Sequence, residues 1–270
     1  MNTKGNEESI FAEERKQLIV ELVNRQVKTT VAQLCEEFKV SPATVRNDLR
    51  ELEFAGLLKR THGGAISNRK TSYEPTFYEK IVENIDEKKA IAAAAAQLVQ
   101  DGDTIAVDCG TTTLELVKYL TNHKKLTVVT CDLQVATYLD RNSQATVILL
   151  GGVLQRDLFY TTGPLTITAL QEMNVDKVFL SANGVTPGKG VTSPNMDQAR
   201  QKEQMVRIGD EIILLADYSK FGKTAFIKYA DLSQMDVLFT DDKADPRIIE
   251  QLRADGLDVE VVKVKKSSKK

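Results

Sequence analysis

Seven short apolar runs recur between residues 104 and 262: Thr104–Val107, Leu126–Thr130, Thr146–Leu150, Lys177–Ala182, Glu211–Ala216, Val237–Thr240 and Val259–Val262. Stretches with helical spacing separate several of them, at Thr113–Leu120, Asp132–Leu139, Asp197–Ile208 and Pro246–Ala254. A strand that is apolar throughout has no face for water, and parallel neighbours need a crossover connection, usually a helix. The pattern predicts an α/β domain on a mainly parallel sheet covered on both faces. Alanine-rich Asp86–Gln100 predicts a further helix, and Thr76–Asn84 a connecting one. Ligands of such sheets sit beyond the carboxyl ends of the strands. Residues at those ends are therefore the first candidates for a site.

The first strand end carries Asp108-Cys109-Gly110-Thr111-Thr112-Thr113 and opens a helix. Glycine lets backbone approach an anion, free N–H groups at the helix start point at it, and threonine hydroxyls add donors. Other ends carry Thr130-Cys131-Asp132, Gly151-Gly152, Asn183-Gly184, Asp217-Tyr218-Ser219-Lys220-Phe221-Gly222 and Thr240-Asp241-Asp242. Lys220 offers a point charge to a phosphate, while Asp108 and Asp217 can accept from sugar hydroxyls. Each item alone is ordinary turn chemistry. Together they predict a phosphorylated polyol held by Asp108, Gly110, Thr111, Thr112, Thr113, Thr130, Asp132, Gly151, Gly152, Asn183, Gly184, Asp217 and Lys220.

A different pattern fills the first seventy residues. Phe11–Gln26 has a helical apolar stripe of Leu18, Ile19, Leu22 and Val23, and Val27-Lys28-Thr29 is a short connector. Thr30 and Gln33 form a capping box for a second helix, and Lys39-Val40 turns the chain. Ser41 is a strong N-cap, Pro42 suits the first helical position, and Gly56 ends the third helix. At about 100° per residue, Val45, Leu49 and Leu52 fall within about 60° and form its buried stripe. Ala43, Arg46, Asn47 and Arg50 lie opposite, with Asp48 and Glu51 off to one side. Arginine suits guanine, asparagine suits adenine, and small Ala43 lets the helix approach a groove floor. Leu57–Thr61 and Ala65–Ile66 flank a His62-Gly63-Gly64 turn, predicting a hairpin wing that carries Lys59 and Arg60. DNA-contact candidates are Ser41, Ala43, Thr44, Arg46, Asn47, Arg50, Lys59, Arg60 and His62. His62 either reaches a phosphate or serves the turn alone.

Charge agrees with that placement. Lys39, Arg46, Arg50, Lys59, Arg60, Arg69 and Lys70 face only Asp48, Glu51 and Glu53 within residues 39–70, although the 270-residue chain has a net charge of −2. A small basic segment on an acidic chain suggests a polyanion contact. The longest apolar run, Ile91–Ala96, is far short of the ~20 residues that span a bilayer, and the N-terminus lacks a secretory pattern. Three cysteines (Cys35, Cys109, Cys131) argue for a reducing, cytoplasmic compartment, and His62 and His123 form no zinc spacing. The expectation is a chain with no metal, no cofactor and no membrane contact.

Ser41-Pro42-Ala43-Thr44-Val45-Arg46-Asn47-Asp48-Leu49-Arg50-Glu51-Leu52, followed by Gly56-Leu57-Leu58-Lys59-Arg60-Thr61-His62-Gly63-Gly64-Ala65, resembles the signature of the DeoR family of bacterial transcription regulators. That family usually shows two arginines where this chain has Arg46-Asn47, so Asn47 favours a different base edge. Asp86–Ala92, Asp101–Ile105, Asp108–Thr112, Gly151-Gly152, Gly163-Pro164, Asn183–Val185 and Asp217–Gly222 resemble the family's sensor domain, which is similar to ribose-5-phosphate isomerase. The resemblance implies a winged helix-turn-helix domain (residues 1–66), a linker (67–75), an effector-binding sensor (76–264) and a basic tail (265–270). It also implies a phosphorylated sugar as effector and, in the bacterial cytoplasm at the nucleoid, repression of a carbohydrate-catabolism operon. A symmetric homo-oligomer, dimer or tetramer, is expected because palindromic operators match two-fold proteins.

Two other classes remain open at this stage. The chain could be a sugar-phosphate isomerase or deaminase with an accessory N-terminal domain, for which Glu203 would be the carboxylate to test. Residues 151–157 lack the glycine run of the isomerases, so no catalytic residue is assigned. The winged domain could instead bind protein as an adaptor. Cys109 and Cys131 are read as small thiols, with a redox role as the alternative.

Overall fold

In this computed structural model, residues 11–26, 28–67 and 71–265 are described. The expectations for residues 1–10, Val27, 68–70 and the tail residues 266–270 lie outside them. The chain divides into two compact units, residues 1–70 and 71–270.

The first unit contains α1 (Ala12–Gln26), β1 (Lys28–Thr30), α2 (Val31–Phe38), α3 (Pro42–Phe54), β2 (Leu58–Thr61) and β3 (Gly64–Ser67). Local chemistry sets its boundaries. Thr30 and Gln33 form the reciprocal capping box of α2, and Lys39 ends that helix in the left-handed region. The Ser41 hydroxyl accepts from Thr44 N at 3.1 Å, and Gly56, at φ +73°, takes the chain out of α3. Ile19, Leu22, Val23, Leu34, Val45, Leu49, Leu52 and Leu58 form one core, each buried Leu or Ile contributing about 1.5–3 kcal/mol.

Three details differ from expectation. Lys28–Thr30 is a strand rather than a connector, so the wing is a three-stranded sheet of order β1-β3-β2. Gly64 makes that pairing possible, since a Cβ there would stand 2.0 Å from the Thr29 carbonyl oxygen. Ser67 ends β3 instead of starting the linker, and its hydroxyl donates to Asn24 at 2.5 Å. Asp48 is buried on the core stripe, where Arg15 Nε donates to it at 2.7 Å.

The second unit starts with α4 (Phe77–Val82), α5 (Ile85–Ala95), β4 (Thr104–Val107), α6 (Thr111–Val117), β5 (Thr127–Thr130), α7 (Leu133–Asn142) and β6 (Thr146–Leu149). Next come β7 (Val153–Gln155), β8 (Tyr160–Thr162), α8 (Pro164–Gln171), β9 (Val175–Ser181), β10 (Gly184–Thr186) and β11 (Gly190–Ser193). It closes with α9 (Met196–Ile208), β12 (Gly209–Leu215), β13 (Ile227–Ala230), β14 (Val237–Asp241), α10 (Pro246–Ala254) and β15 (Asp258–Val262).

The seven apolar runs are the strands of one parallel sheet, in the order β15-β14-β12-β9-β4-β5-β6. Alternate residues of each strand serve opposite faces. Ile105, Phe179 and Ile213 pack with α5, α6 and α7, while Ala106, Leu180 and Leu214 pack with α8, α9 and α10. Two small antiparallel arrays accompany the sheet, β7-β8 and β10-β11-β13.

Candidate functional site

Helix α3 turns Arg46, Asn47 and Arg50 to solvent, because Val45, Asp48, Leu49 and Leu52 occupy its inner side. Ser41 and Ala43 at its start are exposed and Thr44 is half-buried. Asn47 Nδ2 donates to Glu51 Oε1 at 3.0 Å, and Arg50 Nη1 donates to Asn47 Oδ1 at 3.3 Å. Lys16 on α1 donates to the other Glu51 oxygen at 2.9 Å, which holds the Glu51 carboxyl below its ordinary range. A base edge has to displace solvent-exposed partners of Asn47, not core contacts. Lys59, Arg60 and His62 are exposed on the wing. Arg60 N donates to Glu53 Oε1 at 2.8 Å, tying the wing to the end of α3. Arg46, Arg60, His62, Cys35 and Leu49 line a concavity of about 720 Å³ between α2, α3 and the wing. Cations on a convex helix beside a cationic wing can meet phosphates and base edges at once.

The sensor candidates all come to one rim, the carboxyl ends of β4, β5, β6, β9 and β12. Many of their polar atoms are already engaged there. Asp108 is fully buried, and its Oδ2 accepts from Ser181 N at 2.9 Å, from Ser181 Oγ at 2.7 Å and from Lys202 Nζ. Gly110 sits so close to Ser181 that a Cβ would stand 2.7 Å from its Oγ. Thr111 and Thr112 are buried at the start of α6, and Thr113 Oγ1 donates to the Asp108 and Gly110 carbonyls at 2.8 Å. Thr130 Oγ1 donates to Val107 O at 2.8 Å. Asp132 caps α7 through Gln134 N at 2.7 Å and Val135 N at 3.1 Å, and burial pushes its carboxyl up to about 7.

Gly151 and Gly152 follow β6; Thr166 Oγ1 donates to the Gly151 carbonyl at 2.7 Å, and Gly152 adopts φ +157°. Asn183 is half-buried between β9 and β10, and a Cβ on Gly184 would meet the Lys223 carbonyl oxygen at 2.3 Å. Asp217 is fully buried, and its Oδ1 accepts from Asn84 Nδ2 at 2.9 Å and Ser219 N at 3.0 Å. Lys220 Nζ stands 3.8 Å from its Oδ2. Burial opposes ionisation of Asp217, but Lys220, Ser219 and Lys88 outweigh it and hold the carboxyl below its ordinary value.

Two lysines at this rim were not among the sequence candidates. Lys202, 1% exposed, also donates to Ser181 O at 2.9 Å, and the Asp108 charge overrides burial to keep its ammonium protonated. Its neighbours Gln198 and Tyr229 reach the same cluster, donating to Cys109 Sγ at 3.4 Å and to Ser181 O at 2.8 Å. Gln198, Ala199, Lys202, Met205 and Val206 recur at the spacing of one helix face, so a lysine in an apolar stripe was the available signal. Lys88 is buried beneath α4, donates to Lys80 O, and is pulled down to about 8 by burial and then by Lys220. Glu203 does not join the rim: it is exposed and paired with Arg207 at 2.5 Å. The Cys109 thiol is pushed well above its ordinary value by its hydrogen bond with Cys131 and by burial, which disfavours the thiolate.

A family model described as the DeoR C-terminal sensor domain matches residues 83–242, and one described as a DeoR-like helix-turn-helix domain matches residues 15–71. The chain belongs to the DeoR family. Members are transcriptional regulators rather than enzymes, and this DeoR-family chain is a DNA-binding regulator. It is 36% identical to the HTH-type transcriptional regulator GlpR of Haloferax volcanii over 246 residues, 91% of this chain and 96% of that protein. It is 38% identical over 239 residues to the lactose phosphotransferase system repressor of Streptococcus mutans, 87% of this chain and 94% of that one. Among solved structures, ribose 5-phosphate isomerase A of Methanocaldococcus jannaschii shares 19% identity over 52% of this chain and 55% of that one, at a TM-score of 0.39. Among the described residues, no helix is long and apolar enough to cross a membrane.

Proposed function

We propose that this regulator represses a carbohydrate-catabolism operon and is relieved by a phosphorylated sugar bound at the rim of its sensor sheet. On the DNA side, Arg46, Asn47 and Arg50 read the major groove, with Ser41, Ala43 and Thr44 at the helix start. Lys59, Arg60 and His62 hold the backbone. On the effector side, the observation that carries the reading is the buried Asp217 carboxylate, whose Oδ2 has no hydrogen-bond partner among the described residues, with Lys220 Nζ at 3.8 Å and the charge of buried Lys88 also acting on it. Burial makes the Lys88 charge costly, and a phosphate dianion beside Lys88 and Lys220 would offset that cost. Asp217 follows β12 and Asp108 follows β4, with β9 between them. Two strand spacings amount to roughly 10 Å, the span of a phosphorylated monosaccharide. The Gly110–Thr113 turn, the anion site expected from the sequence, would then meet the polyol end together with Asn183, since the Thr113 hydroxyl is already engaged by the Asp108 and Gly110 carbonyls.

Release of DNA follows if the effector binds the DNA-incompetent arrangement better, since equal affinity for both arrangements shifts nothing. A panel of sugar phosphates screened by thermal shift tests the reading, because a true effector stabilises by mass action. In Lys88→Met we expect a higher Tm without ligand, from loss of the buried charge, and at least about tenfold weaker binding of the stabilising ester. Should no sugar phosphate stabilise the protein, or should Lys88→Met bind the ester as the wild type does, the effector assignment is wrong.

A further inference from the structure

The two lateral margins of the seven-stranded sheet are built differently. At one margin, β15 carries exposed Asp258 and Glu260, with exposed Lys263 and Lys265 just beyond. Arg253 also donates from its guanidinium to the Val259 carbonyl. Charge and capped backbone groups discourage addition of another strand. The opposite margin, β6, reads Thr146-Val147-Ile148-Leu149, has no charged residue and, among the described residues, pairs with β5 alone. Thr146 N and Leu150 N bond inward to Leu126 O at 2.9 Å and Thr130 O at 2.8 Å. The alternation of a parallel ladder therefore turns the Val147 and Leu149 amides outward.

Apolar surface continues past the strand. Ile148 is 38% and Leu149 49% exposed, on opposite faces, and on β7 Val153 is 64% and Leu154 55% exposed. Leu165 at the start of α8 is 74% exposed. Gly163 brings that helix start against β7, its Cβ position lying 3.9 Å from Val153 Cγ2.

We infer that a second copy of this chain docks here, β6 pairing antiparallel with β6 of the copy across a two-fold axis. Such an axis makes one patch its own partner, so an uncharged strand margin meets its like with no charge to desolvate, whereas pairing at the β15 margin would strip water from Asp258, Glu260, Lys263 and Lys265. Five exposed apolar side chains and the outer strand backbone offer several hundred Å², on the scale of the about 800 Å² per partner of a stable interface. The inference deepens the regulator reading, for which paired recognition helices require a symmetric assembly. Its test uses no DNA, so the two can fail separately.

The test is sedimentation equilibrium of the full chain, with circular dichroism as a check on folding. We expect the wild type to sediment as a dimer or a multiple of one. Ile148→Lys should fall to half that mass with its helix signal intact, and Val261→Lys, on the guarded margin, should keep the wild-type mass. If Ile148→Lys fails to fold, Leu154→Lys on the exposed hairpin should weaken self-association at least about tenfold. A monomeric wild type overturns the proposal, including one that captures an extended apolar peptide instead. So does wild-type association in every folded β6 or β7 variant.

Discussion

Lys202 and Asp108 stand about 1% exposed, held together with Ser181 at the ends of two neighbouring strands. Losing one partner of such a pair leaves a charge with neither water nor a counter-ion. Lys202→Met should therefore cost the sensor unit about 3–5 kcal/mol, and adding Asp108→Asn should restore most of it. Urea unfolding followed on the sensor unit measures both, and additive losses would show that the pair does not act as a unit. The same residues mark the limit of sequence reading at this scale. Asp108 was legible as a strand-end carboxylate, but its partner lies 94 positions away. Lys202 was not among the sequence candidates, although it shares the buried face of α9 with Met205 and Val206. Asp48 was misplaced for a similar reason: at positions 45, 48, 49 and 52 it shares the core stripe, and only its distant partner Arg15 makes a charge tolerable there.

Elements were more legible than contacts. Continuous apolar runs identified all seven strands of the main sheet, because burial on both faces writes itself into every residue of a strand. Caps placed α2 and α3, since Thr30, Gln33 and Ser41 act within three residues of themselves. The strands β1, β7, β8 and β10 span three residues each, too short for alternation to register, and their pairing depends on glycines such as Gly64 and Gly184. One helix start offers a direct test. Asp132 caps α7 but is buried, with its carboxyl raised from near 4 to about 7. Between those values the native state keeps a proton that the unfolded chain has lost, so stability falls as pH rises across that window. Asp132→Asn keeps a cap and removes the charge. Its stability gain should grow from pH 4 to pH 7 and level off at about 4 kcal/mol above, in thermal melts across that range. A gain independent of pH would mean that the carboxyl is not ionised at a cost.

At the scale of the whole molecule, a basic recognition unit precedes a larger acidic sensor, and the DeoR-family match spans both. Such a chain can regulate only if its first unit discriminates among DNA sequences. The choice between base reading and simple phosphate attraction lies in how affinity responds to salt and to sequence. The most direct measurement takes a duplex selected from a random pool by the wild type and a scrambled duplex, titrated over a salt series. Arg46→Ala should lower the ratio of selected to scrambled affinity by about 1–3 kcal/mol. Lys59→Ala should weaken both duplexes alike and flatten the log–log salt slope by about one. An unchanged ratio in Arg46→Ala, or a wild type without salt-dependent affinity for duplex DNA, would contradict the assignment of α3 and the wing as the reading head.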